Sequence, residues 1–347
     1  MNDEDENAIA KNNVFLYLIC QSLGGSSAPI NIALGGVVGA YLLGDDKSLA
    51  TLPIAGYNIG VAIGALAANA IMLRIGRKRG FMTGCVIGVI GMIASGLSIA
   101  ASSFWFFCFA LAINGIASGF TQQYRFAAAD RGTPDFKPKA ISWIMAGGIA
   151  AAIIGPQLVI FASDLASPVP YAGAFYAATI LFVLSFFALS FLNPSNLGSQ
   201  KVKNTLDKEP RSYMEIASQP RFFIALLCGT ATYALMAFVM TGAPLAMVHH
   251  GFTVQQSTLG IQWHVMAMFA PSLITGSLIS RFGKETIVAT GLLILVACGV
   301  VAIAGFELMH FWGSLVLLGV GWNFGFIGAT AMVTDTYEPH EKNRAQV

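Results

Sequence analysis

The fold is decided by Asp130-Arg131-Gly132-Thr133-Pro134-Asp135-Phe136-Lys137-Pro138-Lys139-Ala140, because a related stretch returns as Asp335-Thr336-Tyr337-Glu338-Pro339-His340-Glu341-Lys342-Asn343-Arg344-Ala345. The two stretches align at an offset of 205 residues (335 minus 130). A second pair, Arg74-Ile75-Gly76-Arg77-Lys78 and Arg281-Phe282-Gly283-Lys284-Glu285, aligns at 207 (281 minus 74). Two matches at nearly one offset, each flanked by apolar segments, indicate an internal repeat.

The composition is that of a membrane protein. Of 347 residues, 56% are apolar and 10% are charged, whereas soluble proteins have about 25% charged residues. The five cysteines show no CxxC spacing, which argues against a disulfide frame or a zinc site. We expect neither a metal site nor a cofactor.

Membrane-spanning helices need about 20 mainly apolar residues, because lipid offers the backbone no hydrogen-bond partners. Ten segments qualify, which predicts an all-α membrane protein with ten spans. They cover residues 14–43, 52–73, 81–101, 104–129, 140–161, 171–192, 222–248, 256–279, 287–306 and 311–332.

The basic residues test this assignment, since cytoplasmic loops carry an excess of Lys and Arg. All 19 Lys and Arg residues except Lys47 fall on one set of alternate loops or at the N-terminus. This alternation predicts a multi-pass protein of the bacterial inner membrane with a cytoplasmic N-terminus.

One long polar segment, residues 193–221, contains Asn193-Pro194 and Glu209-Pro210, which break helices. We therefore predict an N-terminal six-helix bundle (1–192), a cytoplasmic linker (193–221) and a C-terminal bundle of four helices (222–347).

Six helices, a long loop and a paired glycine-basic turn after the second helix of each half resemble the major facilitator superfamily of secondary transporters. The matching residues of the first turn are Arg74, Gly76, Arg77 and Lys78, and those of the second are Arg281, Gly283 and Lys284. Leu73 and Ser280 stand where the family has an aspartate. The resemblance implies a two-bundle fold whose basic turns act as cytoplasmic gate loops.

A narrower resemblance involves Gln123-Tyr124-Arg125-Phe126-Ala127-Ala128-Ala129-Asp130 and Gly321-Trp322-Asn323-Phe324. Both stretches are similar to those of a bacterial subgroup that takes up riboflavin. Members of the family have twelve helices, so the chain is expected to stop at the start of its eleventh, with roughly 50 residues or more to follow.

Secondary transporters bind substrate near the bilayer midplane between their repeats, so polar and aromatic residues within spans are the candidates. The predicted substrate-binding residues are Asn31, Asn58, Gln123, Arg125, Gln157, Tyr233, Gln262, His264, Trp322 and Asn323. Amide and aromatic groups dominate this set, which favours a neutral or planar substrate such as a sugar, a flavin or a lipophilic drug.

Several candidates have structural alternatives. Arg125 could pair with Asp130 or reach the headgroups instead of contacting substrate. His264 could couple protons or be a hydrogen-bonded packing residue. Ser26 and Ser27, beside Gly24 and Gly25, favour close helix packing.

The sequence therefore predicts a monomeric carrier of small organic molecules that works by alternating access, with membrane lipids as its other partners. Efflux instead of uptake, and a truncated non-transporting remnant or sensor, stay as alternatives. HExxH, GxSxG and phosphate-loop motifs are absent from the sequence, so we expect neither an enzyme nor an ATP-driven pump. The basic loops lack the interleaved aromatics of a nucleic-acid surface.

Overall fold

The computed structural model describes residues 3–128, 136–193, 215 and 218–336, and the regular structure within them is helical. The helices are α1 (Asp3–Gly24), α2 (Ser27–Leu43), α3 (Leu52–Ile75), α4 (Arg77–Ala100), α5 (Phe104–Thr121), α6 (Tyr124–Ala128), α7 (Lys137–Ala162), α8 (Ala172–Ser190), α9 (Pro220–His249), α10 (Val254–Phe269), α11 (Ser272–Phe282), α12 (Lys284–Ala304) and α13 (Leu308–Val333). A short 3₁₀ turn, Ser163–Ala166, follows α7.

The predicted spans correspond closely to these helices. Within the described residues, nine helices are long and apolar enough to cross a membrane, and there are ten if the bent pair α10 and α11 is one span. That pair is bent by 42° beside Pro271, where proline removes a backbone donor and kinks a helix. Two other predicted spans are also interrupted, one between α1 and α2 and one between α5 and α6.

The described residues pack as two compact units. The first lies within 1–200 and 241–266, and the second within 201–240 and 267–347. The predicted division at residues 193–221 stays a prediction, because 194–214 and 216–217 lie outside the described residues. Most of the repeated stretch, at 130–135 and 337–345, also lies outside them.

Glycines bring α3 and α5 into direct backbone contact in the first unit. A Cβ at Gly60 would lie 2.1 Å from the carbonyl oxygen of Ala112, and one at Gly115 would lie 2.0 Å from that of Tyr57. Such separations exclude any side chain. The stripes Gly60-xxx-Gly64 and Gly115-xxx-Gly119 are typical of close helix packing in membranes.

The two basic turns of the repeat have the same backbone conformation. Gly76 separates α3 from α4 with φ 81° and ψ 162°, and Gly283 separates α11 from α12 with φ 85° and ψ 154°. This region of backbone space is essentially restricted to glycine. The turns therefore need glycine for its conformation, since a Cβ at Gly76 would meet no atom within 4 Å.

Replacing either glycine by alanine is expected to destabilise the protein by about 1–3 kcal/mol, through backbone strain alone. The effect would appear as a lower Tm for Gly76→Ala and Gly283→Ala in detergent. Gly299→Ala is the matched control, because Gly299 lies within α12 and a Cβ there also meets open space. Equal Tm values for all three variants would contradict the strain argument.

Candidate substrate site

Two predicted residues, Tyr233 on α9 and Trp322 on α13, meet in the second unit. Their ring centroids are 6.4 Å apart in an edge-on arrangement. Phe326 completes the group: its ring is stacked on Trp322 at 5.0 Å and 10° and lies 5.8 Å from Tyr233. Trp322 and Phe326 share a face because they are four residues apart on a helix. We call Tyr233, Trp322 and Phe326 the aromatic cluster.

The aromatic cluster borders an open groove between α9 and α13. The groove has a volume of ≈ 420 Å³ and is lined by Gly229, Tyr233 and Phe326, among others, which is within the usual size range of ligand pockets. The Tyr233 side chain is 43% exposed. The indole Nε1 of Trp322 is buried and has no acceptor among the described residues. The site thus offers an accessible ring and a spare hydrogen-bond donor.

Asn323, the neighbour of Trp322, faces a different way and is fully buried. Its Nδ2 donates to the Met268 carbonyl and to Ser272 Oγ, each at 2.6 Å, and its Oδ1 accepts from Thr275 Oγ1 at 2.6 Å. These contacts surround the break between α10 and α11. The structure therefore engages Asn323 in holding the bend, and Thr275 is a partner that the sequence analysis did not identify.

Asn323→Leu is expected to lower stability by about 1–3 kcal/mol, because the Met268 carbonyl would be left buried without a donor. Thermal unfolding in detergent measures this loss. The matched control is Asn58→Leu, since Asn58 lies exposed on α3 and its replacement should change the Tm little. Equal effects of the two substitutions would contradict this role for Asn323.

Asn31 belongs to a buried polar cluster in the first unit. Its Nδ2 donates to the Ser27 carbonyl at 2.9 Å, and its Oδ1 accepts from Asn114 Nδ2 at 3.3 Å. Asn114 Nδ2 also donates to Ser95 Oγ at 3.0 Å. The cluster joins α2, α4 and α5. Ser26 and Ser27 bond back to their own chain, and a Cβ at Gly155 of α7 would lie 2.5 Å from the Ser26 carbonyl, so close packing occurs here as predicted.

A second predicted pair also meets, again within the first unit. Gln157 Nε2 on α7 donates to Gln262 Oε1 on α10 at 2.7 Å. Both side chains are partly buried. The two amides satisfy part of each other's hydrogen-bonding capacity.

The other predicted residues are dispersed. Asn58 is exposed on α3, and Gln123 is half-buried at the break before α6. Arg125 is exposed, with its guanidinium 4.8 Å from the centroid of the Phe126 ring. Its predicted partner Asp130 lies outside the described residues. His264 is fully buried within α10.

The basic residues of the two turns contact the ends of neighbouring helices. Lys78 Nζ donates to the Ser190 carbonyl at the end of α8 at 2.5 Å, where a cation complements the helix dipole. In the second unit, Lys284 pairs with Asp335 and donates to the Ala331 carbonyl at 3.1 Å near the end of α13. Arg221 joins this network through Asp335, at 3.1 Å. The remaining turn residues are Arg74, Arg77 and Arg281, and the guanidinium of Arg281 lies 5.2 Å from the ring centroid of Phe282.

Comparison with known proteins identifies the family. The family model described as Major Facilitator Superfamily matches residues 14–346. The chain belongs to the major facilitator superfamily. Major facilitator relatives include the riboflavin transporter RfnT of Brucella anthropi, 46% identical over 97% of this chain and 84% of the relative. The uncharacterised transporter YdeG of Bacillus subtilis is 28% identical over 99% of this chain and 82% of its own length.

Solved major facilitator structures share the fold. The nucleoside transporter NupG gives a TM-score of 0.69 at 15% identity, covering 97% of this chain and 85% of NupG. A bacterial homologue of the lysosomal transporter Spinster, in an inward-facing conformation, also gives 0.69 at 15% identity, covering 97% of this chain and 78% of that one. The predictions of the family, of the helical membrane fold and of secondary transport of a small solute are confirmed, and the chain is an integral membrane protein.

Proposed function

We propose that the substrate is riboflavin or a flavin of closely similar shape, and that the aromatic cluster contacts its ring system. The relative named as a riboflavin transporter is nearly half identical over almost the whole chain. The observation that carries the proposal in this molecule is the accessible aromatic cluster at the middle of α9 and α13. Tyr233 is the 14th residue of α9, and Trp322 is the 15th of α13.

The chemistry of a flavin suits such a site. Its ring system is planar and uncharged, so it stacks on aromatic side chains, and it carries carbonyl oxygens that accept hydrogen bonds. Stacking on an aromatic side chain is worth about 1–3 kcal/mol for a nucleobase, which is a smaller planar ring. The exposed Tyr233 ring supplies the stacking surface, and Trp322 Nε1 supplies a donor to a ring carbonyl.

Midway placement suits alternating access. A site near the bilayer midplane can be reached from either side in turn, while the bundles rock around it. Within this scheme the basic turns at Gly76 and Gly283 serve as cytoplasmic gate loops, with Lys78 and Lys284 holding helix ends. Asn58, Gln123, Arg125 and His264 stay further candidates for contact with substrate.

The remaining features of the proposal follow from the charge distribution. The N-terminus and the basic turns face the cytoplasm of a bacterial cell, and the protein lies in the inner membrane as a monomer. Anionic lipid headgroups are the expected neighbours of the basic turns. The chain carries its substrate unchanged and is not an enzyme.

Ligand binding to the purified protein tests the substrate assignment. Quenching of flavin fluorescence should report saturable binding of riboflavin, because stacking on aromatic rings quenches it. Lumiflavin, which has the ring without the ribityl chain, should compete, whereas ribitol should not. Competition by ribitol together with no effect of lumiflavin would contradict ring recognition, and absence of saturable riboflavin binding would refute the substrate assignment.

A further inference from the structure

Gln157 and Gln262 form a cross-helix contact between α7 and α10. The donor Nε2 and the acceptor Oε1 are 2.7 Å apart. Both residues belong to the first compact unit, which includes residues 241–266 from the end of α9 and most of α10. The contact is thus a feature of how this segment is held against α7.

The same segment has apolar contacts with the first unit on either side of the amide pair. A Cβ at Gly36 of α2 would lie 3.9 Å from Cβ of Leu245. Val254, at the start of α10, packs against the core of this unit. Val254 also lines a cavity of ≈ 210 Å³ with Val159 and Tyr171. The amide pair is therefore a directional contact within a mainly apolar interface.

The position of the pair along the helices is informative. Gln157 lies near the end of α7, five residues before Ala162, and Gln262 lies in the half of α10 that follows the α9–α10 connection. The basic turns at Gly76 and Gly283 mark the opposite ends of the spans. The amide pair and the contact at Gly36 thus lie toward the end of the bundle remote from the basic turns.

The chemistry of the contact suits repeated opening. Two neutral amides form a hydrogen bond of modest net strength, since water can satisfy both groups when they separate. A buried ion pair would leave two charges to desolvate each time the contact formed again. Gly36 has no side chain to interlock with Leu245, so the apolar contact beside it can also part without a change of rotamer.

We propose that Gln157 and Gln262 form a reversible latch that closes the substrate path at the end of the molecule remote from the basic turns. The latch must break and form again once in each transport cycle. This inference rests on alternating access, and it does not depend on which solute the chain carries.

Reversible cross-linking tests whether the latch must open. Two glutamines that meet at their tips hold their Cα atoms further apart than a disulfide spans, so Q157C/Q262C should be linked with a short bifunctional methanethiosulfonate. The background carries Cys108→Ser and Cys228→Ser, because these two natural cysteines are the partly exposed ones. We expect efficient cross-linking, loss of solute exchange in proteoliposomes and recovery after reduction. Single-cysteine variants should keep exchange after the same treatment. Absence of cross-linking, or full exchange by the cross-linked protein, would overturn the proposal.

A second measurement needs no substrate. A cysteine at Gly36 fits beside Leu245 at ordinary contact distance, and a membrane-impermeant maleimide can reach it only when the segment moves away. Weakening the latch with Gln157→Leu should speed labelling of Gly36→Cys by about two- to tenfold, the equivalent of one neutral hydrogen bond. Ile153→Leu, at an exposed position one turn earlier on α7, is the control and should leave the rate unchanged. Equal labelling rates in both backgrounds would exclude the latch even if the flavin proposal held.

Discussion

Trp322→Ala is expected to weaken riboflavin binding by about 5- to 150-fold, the equivalent of losing about 1–3 kcal/mol of contact with the ring system. Tyr233→Ala should have an effect of similar size, because Tyr233 supplies the exposed face of the aromatic cluster. Tyr233→Phe keeps that face and should retain most of the affinity. Flavin fluorescence titration of the purified variants measures each of these values.

The matched control for these substitutions is Phe238→Ala. Phe238 lies on α9, as Tyr233 does, but its side chain is 80% exposed and is not part of the groove. Its loss should leave flavin binding unchanged. If Trp322→Ala and Phe238→Ala bound riboflavin equally well, the aromatic cluster would not be the flavin contact.

Gly115→Leu is expected to prevent the first unit from folding. A Cβ at Gly115 would overlap the Tyr57 backbone of α3, and backbone cannot move aside as a flexible side chain can. Overpacking in a well-packed core costs typically about 1–3 kcal/mol, and more where it forces the backbone to shift. We therefore expect little or no monodisperse protein by size-exclusion chromatography, and a sharply lower Tm for any that is recovered.

Gly299→Leu provides the control for side-chain size. Gly299 lies in a membrane-spanning helix too, but a Cβ there would meet no atom within 4 Å. This variant should be produced at wild-type yield. A normal yield and Tm for Gly115→Leu would show that α3 and α5 do not pack through their glycines.

The spans and the family could be predicted from sequence because lipid imposes a strong constraint on both. Every backbone group in hydrocarbon must bond within its own helix, so a long apolar run has one regular solution. The breaks within spans are weaker signals. Pro271 marks one, but the interruption at Gln122 and Gln123 depends on tertiary packing that no local pattern encodes.

The candidate site was predictable only in part. Tyr233 and Trp322 are conspicuous as aromatic residues in the middle of spans, and Phe326 could have been added because it lies one turn after Trp322. The partners of Asn31 and Asn323 were missed because they come from distant helices. The contact between Gln157 and Gln262 likewise joins residues 105 positions apart, and composition cannot show that two amides satisfy each other.

Counterflow in proteoliposomes is the most direct test of flavin transport by this chain. Vesicles loaded with unlabelled riboflavin and diluted into a trace of labelled riboflavin should accumulate label transiently, because a carrier that alternates between two faces exchanges one molecule for the other without a driving ion. Phe238→Ala should behave as the wild type, and Trp322→Ala should not accumulate label. Folded wild-type protein whose vesicles take up no more label than protein-free liposomes would contradict the assignment of a flavin substrate.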